Sequence, residues 1–187
     1  MKYYVYLLMD NYSRFILNYQ VSDRVSAKIR LESIRQAYEK YIRNPFEDVQ
    51  LIVDGGVENN NKAIDDYTNL DEVSIRKLIA GKDIRFSNSM VEAQNKILKY
   101  HYLFKHSSYD IHELRKLLDW IIRDYQYNRP HHSLKGLTPF EALCGQQVPK
   151  DLWKKQALEA RQVRIQENTS KSCGVCVLTS RSPPYRG

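Results

Sequence analysis

A short apolar run that ends in an acid and two glycines constrains the fold more than any other feature of this sequence. Residues 49–53 (VQLIV) are followed by Asp54 and then by Gly55-Gly56. A run of this length and composition, bounded by a turn signal, is typical of a central strand covered on both faces. Such strands occur in α/β domains, where sites open at the carboxyl ends of the strands. The run therefore predicts an α/β domain with a candidate site at Asp54.

The segments around this run predict a hairpin, a second strand and several helices. Residues 3–9 and 15–21 are rich in aromatic and branched side chains and flank a turn signal at 10–14, which predicts an antiparallel hairpin. Apolar residues at helical spacing then predict a helix from about Val25 to Arg43, with Ser22 or Asp23 as its cap. The remaining predictions are a strand at 72–80 and helices at 59–69, 89–104, 109–127, 139–144 and 150–167.

This order of elements describes an α/β domain with a mixed sheet. We divide the chain into an α/β domain at 1–145, a helical extension at 146–167 and a tail at 168–187. The tail is rich in Ser, Cys, Thr, Pro and Arg and has no usable periodicity. We therefore expect the tail to be disordered.

The charge balance favours a polyanionic partner. The chain has 29 Lys and Arg against 22 Asp and Glu, a net charge of +7, and each phosphate neutralised by a basic side chain releases counterions. This balance does not choose between DNA, RNA and a membrane surface. No apolar run approaches the roughly 20 residues that span a bilayer. With three cysteines and no export signal, we expect a reducing cytoplasm.

A carboxylate and three polar or basic residues share one face of the helix predicted from residue 89. Glu92, Asn95, Lys96 and Lys99 are spaced at about one and two helical turns. The carboxylate can help hold a divalent cation while the lysines bind DNA phosphates, as two-metal phosphoryl transfer requires. The alternative is that Asp54 is a turn residue and that Glu92 forms a solvated ion pair worth a few tenths of a kcal/mol. Taken alone, each acid is better explained by this alternative.

Three sequence blocks that follow one another in a fixed order favour the catalytic interpretation of the two acids instead. They are VDGGVEN from Val53, NSMVEAQNKILK from Asn88 and YQYNRPHHSLKGLTPFEAL from Tyr125. Together they resemble the integrase core (DDE-type) of bacterial insertion-sequence transposases, in the retroviral integrase superfamily, over about residues 2–145. The residues that carry the third block's resemblance are Tyr125, Asn128, Arg129, Pro130, His131, Leu134, Thr138, Pro139 and Glu141.

The resemblance implies an RNase H-like fold, a mixed sheet flanked by helices, with the first of its five strands missing from this chain. It implies that Asp54 and Glu92 are the second and third catalytic acids and bind Mg²⁺ or Mn²⁺. It also implies that residues 81–89 form the mobile active-site loop. The implied partners are DNA, as element ends and target, and further copies of the chain in the nucleoid-associated bacterial cytoplasm. The residues implied in DNA binding are Asn95, Lys96, Lys99 and Arg129.

The first catalytic Asp of the family has no counterpart here. Asp10 aligns with a turn one strand further on, and we expect it to cap Ser13 or pair with Arg14 at the edge of the sheet away from the carboxylates. Two carboxylates would have to hold two dications that repel each other strongly, and strand loss exposes unpaired backbone edges. We therefore predict a truncated transposase core with little or no strand-transfer activity.

Two further functions and a metal site compete with this interpretation. The chain can be a non-catalytic DNA-binding or oligomerising remnant that inhibits intact transposase. It can also be another RNase H-like nuclease, although the segment from Arg129 to Glu141 argues against that class. Cys173 and Cys176, with His131 and His132, could in principle bind zinc, but their wide separation in sequence argues against a closed site.

Overall fold

The computed structural model describes residues 2–42, 48–85, 89–105 and 110–170. The chain divides into two units, Met1–Gln146 and Gln147–Gly187. In the described ranges, every strand lies in the first unit, which also contains all of the predicted site residues. The second unit is described separately below.

The first unit begins with the predicted antiparallel hairpin. Strand β1 (Tyr4–Met9) pairs with β2 (Ile16–Ser22), with Tyr4 opposite Ser22 and Leu8 opposite Asn18. The register shifts between Leu8 and Met9, which is the mark of a β-bulge. The prediction of a hairpin at 3–21 is confirmed.

Helix α1 (Ala27–Tyr41) follows the hairpin, and its start corrects the predicted cap. Ser26 is extended and its side chain accepts a hydrogen bond from the backbone of Ile29 at 3.4 Å, as an N-cap does. Ser22 was predicted for this role, but it still pairs with Tyr4 in the hairpin. The Tyr6 hydroxyl also accepts a hydrogen bond from the Ser26 backbone at 2.8 Å. The hairpin therefore fixes where the helix begins.

A parallel strand pair forms the second half of this unit. Strand β3 (Val49–Val53) pairs in parallel with β4 (Ile75–Ile79), and helix α2 (Lys62–Thr68) lies in the crossover between them. Both predicted strands are confirmed. The second is shorter than the predicted 72–80, because the Val73 backbone bonds to the Leu70 carbonyl in a turn instead of joining the ladder.

The strands form two pairs, the antiparallel and the parallel part of the predicted mixed sheet. Among the described residues, β1 pairs with β2 and β3 pairs with β4, and no ladder joins the two pairs. The antiparallel and parallel halves of the predicted sheet are therefore both present. What is absent from the described residues is a strand hydrogen-bonded to both β1 and β3.

The helix predicted at 89–104 changes its winding partway along. Helix α3 (Ser89–Ile97) continues into a π-helical segment, Leu98–Tyr102, and then a 3₁₀ turn, Leu103–Lys105. A π segment forms i→i+5 hydrogen bonds, so it rotates later side chains away from positions expected at 3.6 residues per turn. Lys99 lies in this segment, so α-helical spacing does not describe its position relative to Glu92.

Two further α-helices follow in the described part of the unit, and each begins with a capping box. Asp110 caps helix α4 (Ile111–Tyr127) together with Glu113, and Thr138 caps helix α5 (Pro139–Leu143) together with Glu141. In a capping box the side chains of the cap and of the third helical residue satisfy each other's backbone N–H groups. The sequence placed α4 at 109–127 and α5 at 139–144, and both are confirmed within two residues.

Each strand pair has its own apolar core. One core packs the hairpin against α4 and the π segment, and the other packs α1 and α2 against β3 and β4. Strand β1 contributes to both, since Leu7 lies in the first core and Leu8 packs against the second. Successive side chains of a strand point to opposite faces. Strand β1 therefore separates the two cores.

The second unit contains one long helix, α6 (Lys150–Ser170), whose side chains are almost all exposed. This helix ends three residues beyond the predicted end at about residue 167, and the hydroxyls of Thr169 and Ser170 donate to carbonyls of the preceding turn. The rest of the predicted tail, 171–187, including Cys173 and Cys176, lies outside the described residues. A helix with the length and apolar content of a membrane span does not occur in the described part of the chain.

We expect Leu118→Ala to lower the free energy of unfolding by about 2–5 kcal/mol, because it leaves a cavity in a closely packed core. Leu118 is fully buried on α4 beside Val21 and Leu114. Urea unfolding followed by circular dichroism measures the change. Lys116→Ala, on the exposed face of the same helix, should change stability by no more than about 0.5 kcal/mol. Equal effects of the two substitutions would contradict the described core.

Candidate functional site

The candidate site is centred on Asp54, at the carboxyl end of the parallel strand β3. Its Oδ1 accepts hydrogen bonds from the backbone of Gly56 at 3.1 Å and from Asn59 Nδ2 at 2.5 Å. Its Oδ2 makes no hydrogen bond to any described residue, and the side chain is exposed. One oxygen therefore holds the carboxylate in place while the other faces outward.

The two glycines after Asp54 have different surroundings. A Cβ at Gly55 would meet nothing within 4 Å, whereas a Cβ at Gly56 would lie 2.7–2.9 Å from the carboxylate of Glu58. Glu58 thus folds back over Gly56 and brings a second carboxylate to the turn. The backbone is therefore open to close approach at Gly55. At Gly56 the space is occupied by the side chain of Glu58.

Asn59 was not predicted from the sequence as a site residue. It is buried, and while its Nδ2 donates to Asp54, its Oδ1 accepts a hydrogen bond from Arg30 Nε at 2.9 Å. Arg30 in turn donates from Nη1 to the carbonyl of Leu7 at 2.9 Å. A continuous chain of hydrogen bonds therefore runs from strand β1 through α1 to the carboxylate at the end of β3.

Arg30 is a buried cation on the inner face of α1. Burial lowers the pKa of its guanidinium, and the negative charges of Asp54 and Glu58 act against this effect. The sequence contained a signal for this residue. Arg30 precedes Ile34 by four positions, so it lies on the apolar face of the predicted helix, where an isolated charge requires partners.

Glu92 and its neighbours lie on the exposed side of the helix that follows. Glu92, Lys96 and Lys99 are exposed and Asn95 is half-buried, and no hydrogen bond or ion pair to the described residues fixes the Glu92 carboxylate. Gln94 is buried on the other side of α3, and its side-chain amide has no partner in the described part. No hydrogen bond or ion pair connects Asp54 with Glu92 in the described ranges. The structure thus leaves the carboxylates of both predicted catalytic acids accessible.

Asp10 has the structural role expected of a turn residue. Its Oδ2 accepts from the backbone of Ser13 at 2.8 Å and from the Ser13 hydroxyl, and its Oδ1 accepts from the backbone of Tyr12 at 3.2 Å. Both oxygens are therefore used within the turn. The predicted capping of Ser13 is confirmed, whereas Arg14 contacts the Asn11 carbonyl and Met90 Sδ instead of Asp10.

The contact between Arg14 and Met90 corrects the expected position of this turn. Met90 is in the first turn of α3, two residues before Glu92. We expected the turn at the sheet edge away from the carboxylates. The turn lies instead beside the start of the helix that carries Glu92.

The donor set suits a hard divalent cation only in part. Carboxylate oxygens are the ligands that Mg²⁺ and Mn²⁺ prefer, and both Asp54 and Glu92 have an oxygen that is not engaged within the described residues. However, no group of three or more His, Cys, Asp or Glu side chains that could surround a metal ion occurs in the described part of the chain. Asp54 and Glu92 can therefore supply ligands, and a closed site requires further donors.

Arg129, predicted to bind DNA, is engaged in a local network. Its guanidinium carbon lies 6.0 Å from the centre of the Tyr102 ring, and the Tyr102 hydroxyl donates to Asp124 Oδ2 at 2.8 Å. Burial and then the hydrogen bond to Asp124 raise the pKa of Tyr102. The three side chains tie the π segment to the end of α4. The position of Arg129 is thus explained by packing without DNA.

His131 packs beside this network. Its ring lies edge-on to Tyr125 with centroids 4.8 Å apart, and its Nε2 is buried without a partner among the described residues. Burial, followed by the charges of Arg129 and Arg14, lowers the pKa of His131 to about 4. The zinc site that the sequence argued against would combine His131 and His132 with Cys173 and Cys176, and both cysteines lie outside the described residues.

Comparison with known proteins finds one matching family model and two solved structures of similar fold. Residues 83–139 match the family model of the integrase core domain. The structure resembles a chain of the simian T-cell lymphotropic virus intasome, solved with a PP2A regulatory subunit, with a TM-score of 0.60 and 16% identity over 79% of this chain. It also resembles the catalytic core domain of BIV integrase, with a TM-score of 0.55 and 18% identity over 73% of this chain and 82% of that one.

These matches confirm the predicted integrase-core resemblance and the RNase H-like α/β fold. At such low identity, the two structures establish the fold and not the chemistry. This chain spans 50% of the length of the intasome chain. No curated protein sequence matches it.

We expect Asn59→Ala to lower the free energy of unfolding by about 1–3 kcal/mol, because it removes one acceptor from buried Arg30 and the anchor of Asp54. Urea unfolding measures this change. Asn60→Ala is the matched control, since the side chain of Asn60 is exposed and, within the described ranges, accepts only from Lys77 at 3.3 Å. A loss for Asn59→Ala no larger than that of the control would show that the hydrogen-bond chain does not stabilise the fold.

The pKa of His131 predicts a specific loss of stability in acid. Folding lowers this pKa from an ordinary value of about 6.5 to about 4, so the unfolded state binds the proton more readily. The contribution of His131 to stability is complete above pH 6.5 and falls as the pH is lowered towards 4, because the unfolded state takes up the proton first. Unfolding free energies measured across this range should fall less steeply for His131→Phe than for the unmodified chain. Equal slopes would contradict the assignment.

Proposed function

We propose that this integrase-core protein is a DNA-transposition core of the insertion-sequence type, in which Asp54 and Glu92 are the catalytic carboxylates. The observation that carries the proposal is the geometry of Asp54. It lies at the carboxyl end of a parallel strand, where α/β sites open, and it is anchored through one oxygen while the other is accessible. A turn residue with no further role would not need a buried partner such as Asn59 to hold it.

The proposed chemistry is metal-assisted hydrolysis and transesterification of phosphodiester bonds. Asp54 and Glu92 would hold Mg²⁺ or Mn²⁺, which when bound neutralises charge on the scissile phosphate and activates the attacking oxygen. That oxygen belongs first to water and then to a DNA 3′-hydroxyl, so no covalent intermediate with the protein forms. Glu58, folded over Gly56, brings additional negative charge to the same turn.

DNA binding in this proposal rests on charge. The net charge of +7 favours a polyanion, and Lys96 and Lys99 are exposed near Glu92. Asn95 can add a hydrogen bond to a phosphate on the same helix. Arg129 remains a proposed DNA contact, although its stacking on Tyr102 means that it would have to bind DNA from within that network. One relative is part of an intasome, and we propose that this chain also works as a homo-oligomer.

A second candidate is a DNA-binding or oligomerising protein without catalysis, which would inhibit intact transposase. The observation that favours it is the lack, among the described residues, of any group of three acidic, His or Cys side chains able to hold a metal. Two carboxylates alone would leave strong repulsion between two dications. We therefore propose little or no cleavage by the 187-residue chain alone.

One experiment measures both DNA binding and cleavage. We expect a labelled duplex to bind in a salt-dependent manner, and Lys96→Ala/Lys99→Ala to reduce the slope of log affinity against log salt by about 2, because two phosphate contacts are lost. Lys154→Ala/Lys155→Ala, which changes two exposed lysines of α6, is the matched control and should leave the slope unchanged. Absence of DNA binding would contradict both candidate functions.

The cleavage arm tests whether the 187-residue chain is active by itself. Supercoiled plasmid is incubated with Mg²⁺ or Mn²⁺ and with the unmodified chain, Asp54→Asn or Glu92→Gln. We expect nicking by all three to stay at the level of the plasmid alone. Metal-dependent nicking that both substitutions abolish would instead show that the chain is an active enzyme and would reject the non-catalytic candidate.

A further inference from the structure

Two aromatic side chains form an exposed pair on the segment that follows the helix of Glu92. Tyr100 lies in the π segment and Phe104 in the 3₁₀ turn, and their ring centroids are 5.3 Å apart with an angle of 90° between the planes. The two residues are 64% and 65% exposed. A single exposed aromatic residue is ordinary, whereas exposed apolar groups that touch one another are a sign of an interaction site.

The segment that carries this pair is anchored from its inner side. Leu98 and Tyr102 of the same segment are buried, and the Tyr102 hydroxyl donates to Asp124 Oδ2 at 2.8 Å. The segment is therefore held against α4, and the two exposed rings lie away from this contact. Substitution of the exposed rings should leave the fold intact, since surface substitutions usually change stability little.

Positive charge surrounds the pair. Exposed lysines lie directly beside the two rings in sequence, at Lys99 and Lys105, and four positions before Tyr100, at Lys96. None of the three takes part in an ion pair between described residues. An apolar protein partner would have to desolvate these charges, whereas DNA neutralises them with its phosphates. Aromatic rings interleaved with basic side chains are the arrangement that binds the bases and the backbone of single-stranded DNA.

We infer that Tyr100 and Phe104 form a stacking site for one unpaired base of a DNA strand, while the neighbouring lysines bind its phosphates. The inference rests on the proposed DNA function and adds to it that the bound DNA is opened locally. A base inside a duplex is covered by its neighbours on both faces, so it must leave the stack before it can lie on a protein ring.

The perpendicular rings indicate one base and not a run of stacked bases. A base that lies parallel to one ring is perpendicular to the other, so the pair offers one stacking face and one side wall. Tyr100 follows Glu92 by eight residues, which corresponds to about 12 Å along a helix axis. A DNA strand advances about 3.4 Å per nucleotide. The unpaired base would therefore lie about three or four nucleotides from a phosphate at Glu92.

The test compares labelled DNAs bound by the full chain. One is a duplex with a single-stranded 3′ tail of about four nucleotides, matched to the estimated distance. In the second the tail is abasic, so the phosphates are the same and the bases are missing. The third is the blunt duplex. Fluorescence anisotropy at several salt concentrations measures the affinity and the salt slope for each DNA.

We expect the tail with bases to bind about tenfold more tightly than the abasic tail, because stacking of one base on an aromatic side chain has an effect of this order. Tyr100→Ala/Phe104→Ala should remove this preference. The affinity for the abasic tail and the salt slope should stay unchanged, since the lysines that bind phosphates remain.

Two further variants separate stacking from simple apolar contact. Tyr100→Phe/Phe104→Tyr is the matched control, because it keeps both rings, and it should keep the tenfold preference. Tyr100→Leu/Phe104→Leu keeps apolar side chains without aromatic faces, and it should lose the preference as the alanine pair does.

Equal affinity of the unmodified chain for the two tails, with normal binding of the blunt duplex, would overturn the inference and leave the proposed function intact. Absence of binding to all three DNAs would contradict the proposed function as well. A preference that survives in the leucine pair would assign the rings to apolar contact. Conversion of a sedimenting oligomer into a monomer by the alanine pair would overturn the inference by assigning the rings to an interface between copies of the chain.

Discussion

The hydrogen bonds made by the buried guanidinium of Arg30 are the interaction on which the rest of the first unit depends. Among the described residues no ladder joins the hairpin to the parallel pair, and the hydrogen bonds of Arg30 link the Leu7 carbonyl on one side to Asn59 and Asp54 on the other. A charge in an apolar interior is tolerated only when its donors are satisfied. The requirement to satisfy Arg30 therefore couples the position of the candidate catalytic carboxylate to the packing of the two halves.

Local patterns in the sequence were enough to predict the elements and not their assembly. The strand at 49–53, the turn at 10–14 and the helix at 109–127 depend on patterns among neighbouring residues, and all three were predicted correctly. The cap at Ser26 was missed because β2 extends further than its residue pattern indicates, through pairing with Tyr4. The separation into two sheets depends on hydrogen bonds between distant strands, which no local pattern contains.

In the candidate site, too, the sequence predicted residues that are adjacent in the chain and missed contacts between distant segments. Asp54 could be found from the sequence because a strand end, an acid and two glycines are contiguous. Asn59 and Arg30 could not be joined to it, since their contacts cross from α1 to the turn after β3. The π segment shows a further limit, because α-helical spacing describes Glu92 and Lys96 and fails at Lys99. Arg129 was predicted from a motif, whereas its stacking on Tyr102 arises from tertiary packing.

The bulge between Leu8 and Met9 restricts the register in which β1 can pair with β2. Leu7 and Leu8 serve different cores, so sliding β1 by one position against β2 would exchange their sides and spoil both cores together. The bulge ends regular pairing at that point and makes a slipped alignment incompatible with the turn that Asp10 closes. Insertion or deletion of a single residue in β1 is therefore a change that neither half of the unit can absorb by itself.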